Sequence, residues 1–554
     1  MNGVPHLVVA ALVAATIMPA AADGPDVPRL VEQAAAAGVT HVYDGPWEHF
    51  VGGGVAVFDC NGDRRPDLVF AGGANPARLF VNRSTPGDDL WFEERPLLVD
   101  DAAIEGVTGA YALDLDGDGP LDLVLLRVGR NALLEGAGDC TFAPANRLWA
   151  FDGGREWTTA FAATFEADLP FPTLAFGHYV DRSQPGAPWG TCHENTLLRP
   201  ADRTAPRYDE PLALSPGHCA LSMLFTDWSN SGEPALRITN DRQYHIDGED
   251  QLWRVTPGAV PRLFRRSDGW QSLRIWGMGI AEADLAGTGQ PAYALTSMGD
   301  TKLQVLDPEA AEGEPAYLDV AYDRGATAHR PYVGADQRPS TGWHVEFDDV
   351  NNDGLLDLFI AKGNVEAMPD FAAYDPDNLL LGTWPGRFVE VGDRAGVARD
   401  TRGRGGAVVD LDLDGQLDLV VVNRGDPVSL FRNLGAERGF GPIPMGNWLQ
   451  LELRQPPPNR HAVGARVAVR IGTRTLVRTV TVGGGHASGH LGWVHVGLGT
   501  AERAQVRVRW PDGSWSHAYR VFANNFAILD RDAADARYWY PETSTTAPVR
   551  PVQR

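Results

Sequence analysis

Four nine-residue segments share one pattern: Asp59–Asp67 (DCNGDRRPD), Asp114–Asp122 (DLDGDGPLD), Asp349–Asp357 (DVNNDGLLD) and Asp410–Asp418 (DLDLDGQLD). Oxygen-bearing side chains recur at positions 1, 3, 5 and 9, and apolar, strand-like runs flank each segment. A loop that curls around a hard cation presents alternate side chains inward, and calcium takes six to eight oxygens at about 2.3–2.6 Å. Position 7 can add a main-chain carbonyl, and position 9 closes the cage. Glycine at position 6 (Gly119, Gly354, Gly415) eases a tight turn. Arg64 takes that place in the first segment, where a strained or differently shaped turn is expected. No Glu stands at position 12 and the flanks read as strands, so these are not EF-hands. Asp, Asn and Gly are ordinary turn-formers, but four copies closing on the same Asp ask for more than a turn. Magnesium keeps its waters and suits an all-protein cage less well. The sequence therefore predicts about four calcium sites. Their ligands would be Asp59, Asn61, Asp63, Arg65 and Asp67; Asp114, Asp116, Asp118 and Asp122; Asp349, Asn351, Asp353 and Asp357; and Asp410, Asp412, Asp414 and Asp418.

Weaker copies fill the gaps. Asp227–Gly232 and Asp284–Gly289 keep the turn but end on Ala235 and Ala292, where the closing Asp belongs. A third, near Phe176–Tyr179, has lost nearly all its oxygens. Loop starts at 59, 114, 178, 227, 284, 349 and 410 are about 49 to 65 residues apart, the length of one four-stranded sheet with its loops. One such unit cannot bury both faces, but a closed ring lets each cover the next. The 62 Gly and 40 Pro agree with many short strands and turns. The expected fold is all-β, a seven-bladed β-propeller over 23–445. The segment Gly52–Asp59 (GGGVAVFD) and the four loops resemble the FG-GAP or VCBS-type repeats of integrin-like β-propellers, over roughly residues 28–445. That resemblance implies calcium on the carboxylates of the four intact loops.

A second unit follows over 446–532. Trp448–Leu453, Ala465–Arg470, Thr475–Val482, Val494–Leu498 and Val506–Trp510 alternate as strands between Gly-rich turns, which predicts a small β-sandwich or barrel. The stretches NRHAVGARVAVRIG, VTVGGGHASGH, VHVGLGTAERA and VRVRWPDGS resemble the ASPIC/UnbV domain. Its position after FG-GAP repeats resembles the cartilage acidic protein family, whose biochemical role is largely undefined. Residues 533–554 read as a flexible tail.

Residues 1–22 resemble an export signal, with an apolar run from Leu7 to Met18 and Ala20-Ala21-Ala22 as the cleavage site. No later apolar run is long enough to span a bilayer. In an oxidising compartment the four cysteines pair, and joining neighbouring segments favours Cys60–Cys140 and Cys192–Cys219. The expected location is the periplasm, the cell surface or the exterior. A net charge of -24 argues against nucleic acid and anionic membranes as partners. His486, His490 and His495 are close in sequence but read as polar loop and strand residues rather than a zinc site. GGGHASG and GRGGA open no helix after a strand, so they are not phosphate cradles. The stretch Asp181–Cys219, with Trp189 and His193, reads as an insertion capping one face of the ring. Two functional classes follow: a binding, adhesion or scaffold protein for an unknown protein or glycan, and, as the alternative, a propeller lyase or hydrolase acting on carbohydrate at the central channel.

Overall fold

The computed structural model describes residues 25–167, 169–184, 191–201, 203–241, 248–327, 341–365, 375–437 and 441–542. The expected signal at 1–22 and Trp189 lie outside them. The chain is a β-propeller followed by a β-domain. Among the described residues, seven sheets with four antiparallel strands each succeed one another, and the first and last of them gain a fifth strand. Their innermost strands are Val55–Phe58, Val107–Leu113, Thr158–Thr164, Ala220–Thr226, Gly277–Ala283, Gly342–Asp348 and Gly403–Val409. Each packs against the next, and the last returns to the first, closing a ring. The N-terminal strand Pro28–Glu32 supplies the outer edge of the last sheet by pairing with Ser429–Glu437. Both ends of the ring-forming chain are thus held in one blade.

Five of the seven innermost strands are buried along their whole length, and small residues are frequent in them, as in Thr158–Thr164 (TTAFAAT) and Gly403–Val409 (GRGGAVV). Blades converge at the axis, where large side chains would collide. Between blades the packing is aliphatic and aromatic: Phe359, Leu379, Leu419 and Phe431 form one such seam. Truncating one of these leucines to alanine costs about 2–5 kcal/mol. Disulfides Cys60–Cys140 and Cys192–Cys219 each tie one blade to the next, with Cα–Cα distances of 4.8 and 5.0 Å.

The third blade corrects the sequence reading. Gly177 and His178 end its second strand, Thr173–His178, and the loop equivalent to the cation loops is 165–172. With Phe165, Ala167 and Leu169 at positions 1, 3 and 5, the loop has lost the pattern that would have revealed its register. Asp181–Cys219 is not a separate cap either, because it carries the outer strands of that blade, Asn195–Leu198 and Pro211–Leu214.

The C-terminal domain has two four-stranded sheets. One orders Val494–Gly499, Asn447–Arg454, Asn525–Asp530 and Arg537–Trp539; the other orders Arg474–Thr479, Arg466–Ile471, Arg503–Arg509 and Tyr519–Phe522. Arg537–Trp539 corrects the expected tail, since it pairs with Asn525–Asp530 and Trp539 packs on Phe526 and Trp493. Between Thr479 and Val494 the chain leaves this domain and enters the propeller axis. Gly489–Leu491 pairs in parallel with Ala56–Phe58 of the first blade. Gly484 N donates to Met223 O (2.6 Å), Gly485 N to Ile280 O (2.7 Å) and Ala110 N to Ala487 O (3.1 Å). The ring is therefore filled by a segment of the second domain.

Candidate metal centres

Each innermost strand turns into the next through a loop on one face of the ring. In the four acidic loops, positions 4 and 6 both have left-handed backbone: Gly62 and Arg64, Gly117 and Gly119, Asn352 and Gly354, Leu413 and Gly415. Asn230 with Gly232, and Gly287 with Gly289, repeat it in the two weaker copies. Arg64, at φ 65°, shows that the turn keeps its shape without glycine and stores the strain.

That shape turns the odd-numbered side chains inward. Asp59 accepts hydrogen bonds from the backbone N–H of Asn61, Gly62, Asp63 and Arg64. Asp349 accepts from Asp353 and Gly354, and Asp410 from Asp414 and Gly415. Position 9 has a structural duty that spacing alone does not reveal. One Asp67 oxygen accepts from Cys60 N (2.9 Å) and the other from Asn82 N (2.8 Å). Asp122, Asp357 and Asp418 make the same pair of bonds. The closing aspartate thus ties its loop to the third strand of the blade.

Two loops gather their carboxylates most closely. Oxygens of Asp114, Asp116 and Asp122 lie within 4.8 Å of one another, as do those of Asp410, Asp412 and Asp418. Asp114 Oδ2 is buried without a hydrogen-bond partner. In the last loop Arg432 Nε reaches Asp412 Oδ2 at 2.6 Å, supplying part of the positive charge. In the Asp349 loop, Asn351 Nδ2 bonds Asp353 Oδ2 and the main chain of Asp26, so Asn351 presents its amide nitrogen as well as its oxygen. Asp59, Asp63 and Asp67 bind their own loop. For Arg65, the structure places its guanidinium on Ser84 O and Glu542 O.

Burial sets the electrostatics. It pushes Asp67 and Asp122 up to about 8, Asp414 to about 7, and Asp114 and Asp118 to about 6; neighbouring aspartates push the same way. Asp349, Asp357, Asp410 and Asp418 are raised well above the carboxylate range for the same reasons. Several anions packed in one dry loop repel unless protons or a cation compensate.

The C-terminal domain sits on this face and touches positions 4 and 6. Trp493 Nε1 donates to Arg64 O, and Arg64 pairs with Glu452 at 2.9 Å. Arg460 and His461 bond the carbonyls of Gly117 and Gly119. His495 Nε2 bonds Asn352 Oδ1 (2.7 Å), and Arg474 donates to Gly354 O. A β-carbon at Gly415 would stand 1.8 Å from Trp448, so glycine there admits the tryptophan. Where the fourth blade lacks its closing Asp, arginines take over. Arg509 lies 3.3 Å from Asp227 Oδ2, and Arg466 donates to Asp227 O, Asn230 Oδ1 and Gly289 O.

Sequence reading missed this docking set; its only signal was glycine at positions 4 and 6. It also missed the axial histidine. His486 is fully buried, donates from Nδ1 to Leu221 O and accepts Gly52 N at Nε2, so burial holds it down at about 3, neutral. Among the described residues no histidine joins a group with metal-ligand separations.

FG-GAP-like repeats followed by an ASPIC/UnbV domain define the class: the repeat family's profile matches residues 59–125 and 349–421, and that of "ASPIC and UnbV" matches 455–536. Relatives that match include cartilage acidic protein 1 of Mus musculus (36% identical over 217 residues, 37% of this chain and 29% of the relative) and of Homo sapiens (36% over 119 residues, 20% and 16%). The alignments thus span less than a third of those relatives. Among solved structures, the Dos1 propeller covers 73% of this chain and 97% of its own at 11% identity and a TM-score of 0.34. The BBS1N chain solved with ARL6DN covers 71% and 94% at 10% identity and a TM-score of 0.40.

Proposed function

We propose that this is an exported, calcium-loaded propeller that acts as a binding, adhesion or scaffold protein for a protein or glycan ligand. The observation that carries the calcium reading is the convergence of buried carboxylates in the loops, above all Asp114, Asp116 and Asp122, with Asp114 Oδ2 left without a partner. Oxygen-only donor sets of this kind suit a hard cation. Two disulfides and the likeness to cartilage acidic protein 1 support export. A carbohydrate lyase or hydrolase of this shape would use the central channel. The axis is filled by Gly483–Gly489, which supports a binding role over an enzymatic one. Metal analysis of the dialysed protein, with melting curves before and after chelation, tests the proposal. About four calcium ions per chain and a chelator-sensitive melt are expected. Fewer than two ions, or a melt indifferent to chelation, refutes it.

A further inference from the structure

The C-terminal domain does not lie flush on the ring. Between the two, beside the axial segment, is a cavity of about 300 Å³. Val57 and Val409 of the innermost strands form its floor, Leu453 and Val494 of the cap its roof, and Pro120 and Leu491 its walls. Gly62, exposed, and Gly138, half-exposed, stand at its rim. Protein interiors pack with few voids larger than a water molecule, so a space of this size stands out from ordinary packing. It falls at the small end of small-molecule pockets, about 300–1,000 Å³.

Two polar side chains in the lining fix what that occupant must offer. Gln450 is 1% exposed; its Nε2 donates to Asp410 Oδ2 at 3.3 Å, which leaves Oε1 without a partner. His495 is 3% exposed, and its tautomer follows from its neighbour. Asn352 Nδ2 donates to Gly415 O (2.9 Å), so the Asn352 oxygen faces the imidazole, and His495 Nε2 carries the hydrogen of their 2.7 Å bond. Nδ1 is then a bare acceptor, and it has no partner. Buried acceptors left unpaired are costly. Both ask for a hydrogen-bond donor, while the walls ask for an apolar body. Water can satisfy the acceptors but gains nothing against the aliphatic walls. The lining carries charge of both signs, Asp59, Asp348 and Asp410 beside Arg65 and the Arg64–Glu452–Arg454 ion pairs, so it gives neither an anion nor a cation a clear advantage and a neutral occupant avoids the cost of desolvating a charge.

We propose that the cavity between the propeller and the C-terminal domain binds a small neutral molecule with an apolar body and a hydroxyl group, an alcohol or phenol, whose single O–H donates to Gln450 Oε1 while a water serves His495 Nδ1. Neither acceptor is itself a proposed metal ligand, although Gln450 is held by Asp410, which is one.

The test uses the full chain with 4-propylphenol and 4-propylanisole, which share an apolar body while the ether caps the donor. Titration calorimetry should show one saturable site for the phenol and roughly tenfold or weaker affinity for the ether. Gln450→Leu should bring the two affinities together, and Leu491→Trp should abolish binding of both by filling the space. Should Leu491→Trp fail to fold, as its melting curve would tell, the comparison of the two probes on the wild type and on Gln450→Leu decides alone. No saturable binding of the phenol overturns the site and leaves water as the occupant. Equal affinities for the two probes on the wild type overturn the assignment of the acceptors.

Discussion

Gly54→Ala is the sharpest test of the axial segment. Gly54 lies outside the left-handed region, so alanine is compatible with its backbone. The substitution fails for another reason: its β-carbon would stand 1.7 Å from Ala487 O and 2.5 Å from Ala487 C. Restoring an ordinary contact of about 3.4 Å requires the segment to retreat by about 1.7 Å. That movement breaks Ala110 N to Ala487 O (3.1 Å) and the two bonds that Ser488 Oγ accepts, from Val55 N (3.1 Å) and Gly406 N (3.2 Å). At about 1 kcal/mol for each bond, and more for groups left buried and unpaired, the expected loss is about 3–5 kcal/mol. The lower entropy of an unfolded alanine returns only about 0.4–1 kcal/mol. Gly492→Ala is the control, since its backbone is also ordinary and the nearest atom a β-carbon would meet, His490 Nε2, stands at 3.6 Å. Denaturant unfolding of both variants measures the difference, and hydrogen exchange at residues 483–491 locates it. A Gly54→Ala protein within about 0.5 kcal/mol of wild type would refute the reasoning.

Three further outcomes are expected. Asp114→Ala and Asp410→Ala should each lower the bound calcium by about one ion per chain, whereas Asp227→Ala should leave the count unchanged; metal analysis checks this. With calcium chelated, Asp67 and Asp122 titrate at about 8 in the folded chain against an ordinary 3.8, so their contribution is complete below pH 3.8 and is lost as pH rises through 8. These groups make the chelated protein melt lower at pH 8.5 than at pH 6, while added calcium reverses that trend; thermal melts at the two pH values decide. Arg466→Ala should destabilise by about 2–4 kcal/mol in denaturant unfolding, because it removes charged bonds to Asp227 O, Asn230 Oδ1 and Gly289 O at a nearly buried guanidinium.

What could be read in the sequence was what local chemistry dictates. A cation loop draws its side-chain ligands from nine consecutive residues, so Asp114–Asp122 announces itself, as do the strands that its flanks begin. The third blade has no such loop, and its register could be assigned only from the pairing of Thr158–Thr164 with Thr173–His178. Arg537–Trp539 reads as tail because its reason for being a strand, the edge offered by Asn525–Asp530, lies outside its own residues.

The glycines mark the same boundary more sharply. Gly54 is glycine because of Ala487, Gly415 because of Trp448, and Gly497 because a β-carbon there would stand 2.0 Å from Asp349 Oδ2. Each reason lies in the other domain, far along the chain. The GGGHASG stretch has no partner within its own neighbourhood, so its composition alone suggests a polar loop. In the ring, its main chain bonds the strands of several blades at once, and glycine lets it approach them. Within a single cation loop the two kinds of information alternate. Odd positions face the inside of the loop and can be read from spacing, whereas positions 4 and 6 face the cap and become intelligible only once the cap is in place. Such a loop cannot be altered at one set of positions without bearing on the other: the turn that aims Asp349 and Asp353 inward is the turn that offers Asn352 to His495 and Gly354 to Arg474.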